Sequence, residues 1–274
     1  MKNFLLFLVL LVCASFYLGI RYNTTSDKVL RVGTECDYPP NNWKEDKETD
    51  TNVPLENEDG WYADGYDIQI AKIVAKSIGA KLEVKKFTWE DLIPALTRRE
   101  IDAIFSGMLD TSERKKIISF SETYEDRETE YAILVQKNGK WSEAKSLTDF
   151  EGARFVGQEE TNLDTAIEQI PGAIHLPPVA SANKMLEVLN ENKADAIVTD
   201  FEILNNYVKI YPNLKAIRLP KGKGFVFDYT GVCAGVRKQD IELAKEINKA
   251  LKSISRHERQ RLMDRSIARE WNSL

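Results

Sequence analysis

The sequence predicts an α/β protein of two similar lobes, each a mostly parallel sheet flanked by helices, joined by two hinge strands. Three observations carry this. Short apolar strands alternate with amphipathic stretches of helical period, the pattern of a largely parallel sheet covered by helices. One such unit recurs: Asp91 to Gly107 reads DLIPALTRREIDAIFSG and Lys184 to Asp200 reads KMLEVLNENKADAIVTD, at an offset of 93 residues. The offset sets Leu92 on Met185, Ile93 on Leu186, Leu96 on Leu189 and Asp102-Ala103-Ile104 on Asp195-Ala196-Ile197. Two β-rich stretches, Thr129 to Gln136 and Thr230 to Arg237, separate the halves, and helical pattern resumes after the second through Trp271. The first lobe is therefore built from both ends of the chain. The division expected is 1–27 as a signal peptide or membrane anchor, 28–126 and 232–274 as the first lobe, and 127–231 as the second.

With 274 residues, 43% of them hydrophobic and 30% charged, the chain is long enough for two globular units. Its net charge of −5 is spread over interspersed acids and bases, so a nucleic-acid-binding stripe is excluded.

In chain order, Phe4 to Ile20 are uncharged and mostly apolar, with Lys2 before and Arg21 after, which is the layout of an export signal. Val12-Cys13-Ala14 offers cleavage after Ala14. The apolar run continues through Phe16 and Leu18, so an uncleaved anchor is the alternative. Lipidation at Cys13 is disfavoured by Val12. A strand over Val29 to Gly33 follows and ends in the non-helical run Glu35-Cys36-Asp37-Tyr38-Pro39-Pro40. Lys44 to Asp59 is polar and aperiodic and reads as a surface insertion. From Tyr66, the spacing of Ile68, Ile70, Ala71, Val74, Ala75 and Ile78 predicts a helix closed by Gly79, then a strand over Lys81 to Phe87. A second helix over Trp89 to Arg99 leads into the strand Ala103 to Phe105.

That strand runs out in Ser106-Gly107 directly before a helix start. Asp110 or Thr111 is the N-cap, with Glu113 three residues after Asp110 as in a capping box. A helix start leaves N–H groups unpaired and favours an anion, and Arg114 in its first turn adds a fork-shaped guanidinium. The arrangement suits a carboxylate. The alternative is an ordinary strand-to-helix turn with a surface arginine.

Cys36 and Cys233, the cysteines beyond the leader, read either as a disulfide or as two buried thiols. His175 and His257 are the only histidines and no cysteines form a close pair, so no His- or Cys-based metal site is expected; no cofactor is expected either.

The segments RVGTECDYPP, GYDIQIAKIVAKSIGAKLEV, WEDLIPALTRREIDAIFSGMLDTSERKKIISFSETY, KADAIVTD and GVRKQDIELAKEINKAL carry a family resemblance. Over nearly all of Leu30 to Trp271 the chain resembles the family 3 solute-binding proteins, the extracytoplasmic amino-acid-binding components of bacterial ABC importers. The resemblance implies a type II periplasmic-binding-protein fold and a free L-amino acid held between the lobes. It implies that Ser106, Gly107, Met108, Thr111 and Arg114 hold the ligand carboxylate, with Thr161 and Asn162 assisting from the second lobe. Tyr38 and Trp89 then form an aromatic wall, Asp200 accepts from the α-ammonium, and Glu35 approaches the ligand side chain. Each also has a plainer reading: turn packing for Tyr38, core for Trp89, a helix cap for Asp200.

Two departures stand out: Leu109 where the family often has a hydroxyl, and Glu160-Thr161-Asn162 where it has Gly-Thr-Thr. With Glu35, Glu160 favours a cationic or polar side chain, unless both point to solvent. A membrane permease is the implied partner, with a monomeric protein, in the periplasm or otherwise outside the cytoplasm. No catalytic residue is expected. The alternative is an enzyme like the cyclohexadienyl and arogenate dehydratases, which share the T-x-x-R arginine and would here use Glu202 as an acid.

Overall fold

The computed structural model describes residues 28–125, 131–200, 207, 208, 210–220 and 222–273. The leader, Arg127 and Glu202 lie outside the described residues.

Two five-stranded sheets organise the chain. In order across the first are Lys81–Lys86, Val29–Thr34, Ala103–Ile104, Cys233–Val236 and Ser119–Thr123. The second holds Ile174–His175, Arg154–Phe155, Ala196–Asp200, Tyr131–Gln136 and Leu214–Ile217. In both, the first three strands are parallel and the fourth is antiparallel to its two neighbours. The repeat read at a 93-residue offset is thus a repeat of sheet topology. Chain enters the second sheet after Ser119–Thr123 and returns to the first at Cys233–Val236, so two crossings join the lobes.

The predicted helix forms over Tyr66–Ser77, buries Ile68, Ile70, Ala71, Val74 and Ala75, and ends at Gly79 with φ +68°. A side chain there would be strained in that left-handed turn. Leu30, Val32, Ile70, Val74, Phe105 and Tyr124 pack with Val232, Ile247 and Leu251 from the C-terminal end of the chain. Beneath the second sheet lie separate cores drawn from residues 132–217.

The repeat extends to side chains. Asp102 accepts from Arg31 N at 3.2 Å, Nε at 2.9 Å and Nη2 at 2.8 Å. Asp195, its counterpart, accepts from Arg154 N at 2.9 Å, Nε at 3.0 Å and Nη2 at 2.9 Å. Three residues before each aspartate, Arg99 (φ +65°) and Asn192 (φ +58°) make the same left-handed turn out of the preceding helix.

Two expectations are corrected. The segment from Lys44 to Asp59 is no plain loop: Asn42–Glu45 and Val53–Pro54 pair with Asp37–Tyr38 and Tyr62–Asp64 in a four-stranded antiparallel sheet. Its strands are two to four residues long, too short to show a period, and they are held by buried polar bonds such as Thr51 Oγ1 to Asp64 Oδ2 at 2.5 Å. The helix expected over Trp89 to Arg99 spans only Leu92–Thr97, because residues 88–91 form a turn in which Thr88 Oγ1 bonds Asp91 Oδ2 at 3.1 Å. Of the two readings of Cys36 and Cys233, the structure shows buried free thiols.

Candidate ligand-binding site

Where the Ala103–Ile104 strand runs out, Gly107 takes φ +60°, and a Cβ there would meet Asn41 Nδ2 at 3.3 Å and the Tyr38 ring at 3.4 Å. Glycine lets the Tyr38 ring lie against this backbone. Thr111, not Asp110, caps the helix Ser112–Ile117, its hydroxyl accepting from Arg114 N at 3.3 Å. Asp110 instead takes the return crossing, accepting from Thr230 N at 2.7 Å and Gly231 N at 3.0 Å, and pairs with Lys115 at 2.6 Å.

The cap aims Arg114 into the gap between the lobes. Its Nη1 donates to Leu109 O at 3.0 Å, its Nη2 to Glu160 O of the second lobe at 3.2 Å, and the guanidinium lies 5.0 Å over the Trp89 ring. It makes no ion pair with the described residues, and burial pushes it down to about 10. A buried guanidinium held by two carbonyls and an aromatic face, with no ion pair among the described residues, is set to take an anion.

Across the gap, Thr161 caps Asn162–Thr165 by accepting from Asp164 N at 3.2 Å, and Asn162 Nδ2 donates to Tyr131 Oη at 3.2 Å. Glu160 has φ +56° and turns its carbonyl to both Arg114 and Trp89, whose Nε1 donates to it at 3.2 Å. Glu160 is exposed and does not line the cavity, and its charge reaches Arg114 only through space.

Glu35 is buried, with its N–H donating to Ser106 Oγ at 3.0 Å and its Oε1 accepting from Gln158 Nε2 at 2.6 Å. Burial, with Asp37 and Glu90 nearby, pushes its carboxyl up to about 8. Burial, helped by Asp200, also raises the Tyr38 phenol well above its ordinary range.

One interlobe cavity gathers most of the expected residues. Glu35, Tyr38, Trp89, Ser106, Gly107 and Arg114 line it from the first lobe, and Thr161, Asn162 and Asp200 from the second. Met108 and Thr111 do not line it. Met108 packs with Leu92, Leu96, Ile101 and Ile118, its carbonyl accepting from Cys233 N at 2.9 Å, and the Thr111 hydroxyl is spent on the cap. Sequence reasoning missed Asn41, Tyr131, Gln158, Leu163 and Val232. Gln158 had a signal: it follows Gly157 at a strand end as Thr34 follows Gly33, and Cys36 (φ +57°) and Glu160 then repeat the turn.

The model of the Bacterial extracellular solute-binding proteins, family 3, matches residues 30–268. The chain belongs to this family. Among its relatives, the arginine-binding extracellular protein ArtP of Bacillus subtilis (strain 168) is 31% identical over 269 residues, covering 93% of each chain. The ABC transporter glutamine-binding protein GlnH of the same organism is 32% identical over 211 residues, 75% of this chain and 73% of GlnH. An ancestral arginine-binding protein bound to arginine superposes with a TM-score of 0.71 at 30% identity, covering 86% of this chain and 97% of that one.

As a family 3 protein the chain has the two-lobed type II architecture, here with its lobes joined by several direct bonds. Besides the contacts of Glu160 O and the Glu35–Gln158 pair, Asn183 Nδ2 donates to Asp37 Oδ1.

Proposed function

We propose that this solute-binding protein captures a free L-amino acid with a cationic or polar side chain between its lobes and presents it to the permease of an ABC importer. The observation that carries this is Arg114, a buried guanidinium without an ion pair among the described residues, set in an interlobe cavity that Asp200 also lines. In this reading the α-carboxylate takes the Arg114 fork with the backbone at Ser106 and Gly107, while Thr161 and Asn162 approach from the second lobe. Asp200 accepts from the α-ammonium. Tyr38 and Trp89 sandwich the ligand, and Glu35 receives the side chain.

The arginine and glutamine named for the relatives support a cationic or polar ligand, as does one buried carboxylate at the cavity wall. A neutral aliphatic chain would leave Glu35 desolvated without a partner. The relatives named above are binding proteins, and this chain is read as one rather than as a dehydratase. The lobe limits 28–126, 127–231 and 232–274, a monomeric state and export through residues 1–27 belong to the same proposal. Calorimetric titration with arginine, lysine, ornithine, histidine, glutamine, glutamate and leucine tests it. Arginine or another cation is expected to bind tightest and glutamate weakest. Tightest binding of glutamate would overturn the side-chain assignment, and binding of none would overturn the amino-acid reading.

A further inference from the structure

Asp67 opens the helix Tyr66–Ser77, is fully buried and lies outside the cavity lining. Three donors converge on its carboxylate: Tyr124 Oη at 2.7 Å, Asn42 Nδ2 at 2.8 Å and the backbone N–H of Gly107. None of them is basic. A carboxylate buried among neutral donors is costly, and a capping or packing role alone would not require it.

The donors come from three parts of the binding apparatus. Gly107 belongs to the strand-end backbone below Arg114. Asn42 follows the turn that carries Tyr38, a turn also fixed by Asp67 N donating to Asn41 O at 2.9 Å. Tyr124 directly follows the strand Ser119–Thr123, from which the chain leaves for the second lobe. It is held on every side: its N–H donates to Val232 O of the return crossing at 3.0 Å, and its carbonyl accepts from Tyr66 Oη at 2.5 Å. The return crossing reaches the segment after Ala103–Ile104 through Asp110 and through Cys233 N bonded to Met108 O. Both crossings are thus bonded to the segment 107–110, the first of them by way of Asp67.

We infer that Asp67 is a positioning residue that couples the first interlobe crossing, through Tyr124, to the Gly107 backbone and the Tyr38 turn, so that lobe closure and grip on the ligand change together. This rests on the amino-acid reading for its consequence in binding, but the coupling itself is a property of the ligand-free protein.

Asp67→Asn and Tyr124→Phe test it. The asparagine has a ready partner, since Asn42 Oδ1 is buried without one and a turned-over Asn42 amide can accept from it. Hydrogen exchange on the ligand-free proteins reads the coupling: Tyr124 packs on Phe105, so the read-out is taken at residues 107–110, where Tyr124→Phe is expected to speed exchange at least several-fold. Titration with arginine reads the consequence: each variant is expected to weaken binding about tenfold, and the double variant no further than the more damaging single. A purely structural role would lower the unfolding temperature and leave exchange at 107–110 and arginine affinity unchanged in Tyr124→Phe, which overturns the inference. If the wild type binds no amino acid, the amino-acid reading fails, and the exchange experiment still decides the coupling.

Discussion

Arg114 is a buried arginine held by two carbonyls and the Trp89 ring, and the first prediction is made at that side chain. Arg114→Ala is expected to remove a sheltered charge pair from every amino-acid complex, costing about 3–5 kcal/mol, or roughly a hundredfold to several thousandfold in affinity. Unchanged affinity in a calorimetric titration of the folded variant would contradict the carboxylate clamp. Glu35 gives the second prediction, a pH dependence. With the lobes closed its carboxyl is raised to about 8, so it is mostly protonated at pH 6 in the closed ligand-free form, whereas a cationic side chain pairs only with the carboxylate. Arginine affinity should therefore rise from pH 5.5 towards 8 with release of a proton, and Glu35→Gln should flatten that rise. The same shift stabilises the closed ligand-free form below about pH 4.5, and that contribution is lost as pH rises through 8. Arg114 was legible because a cap and a first-turn arginine are local. The partner of Glu35 was not, because Gln158 lies 123 residues away on the other lobe. Nor was the role of Glu160, since nothing in its side chain announces a left-handed backbone.

At the scale of elements, the duplicated arginine–aspartate clamp offers a matched comparison. Asp102 is shared by Arg31 and by Arg237, a side chain only 6% exposed, whereas Asp195 pairs with an Arg154 side chain that is 40% exposed. Asp102→Ala is expected to cost about 2 kcal/mol of stability, because the buried Arg237 loses one of its two carboxylates and keeps only Asp240, 2.5 Å from its Nε, and Asp195→Ala about 1 kcal/mol or less. Urea unfolding of the two variants checks this, and equal losses would show that burial does not set the difference. Both aspartates stood at matching positions of the sequence repeat, so the equivalence of the two units was readable, though their arginines were not. The helix Tyr66–Ser77 and its neighbouring strand were readable from period alone. The small antiparallel sheet was not, because a period needs more than two to four residues and its stability rests on polar pairs between segments.

For the whole molecule, closure is the fourth expectation. The bonds from Glu160 O to Arg114 and Trp89 join lobes that a ligand would have to enter between, so the ligand-free protein must open at its two crossings. Small-angle scattering should show a smaller radius of gyration with saturating arginine, and superimposable curves with a ligand shown to bind would mean that no closure occurs. The order of strands across the sheets has a further outcome for how the chain acquires its structure. Residues 131–217 supply every strand of the second sheet, but the first cannot be finished until Cys233–Val236 slots between Ala103–Ile104 and Ser119–Thr123. Contacts of such long sequence separation form late, because the entropy of closing the loop is spent before they return anything. During refolding, pulse-labelled amides of Ala132–Val135 and Ile197–Val198 should become protected before those of Ile104 and Phe120. The lobe inserted in the middle of the chain would then be the first to fold, and the lobe that begins the chain the last.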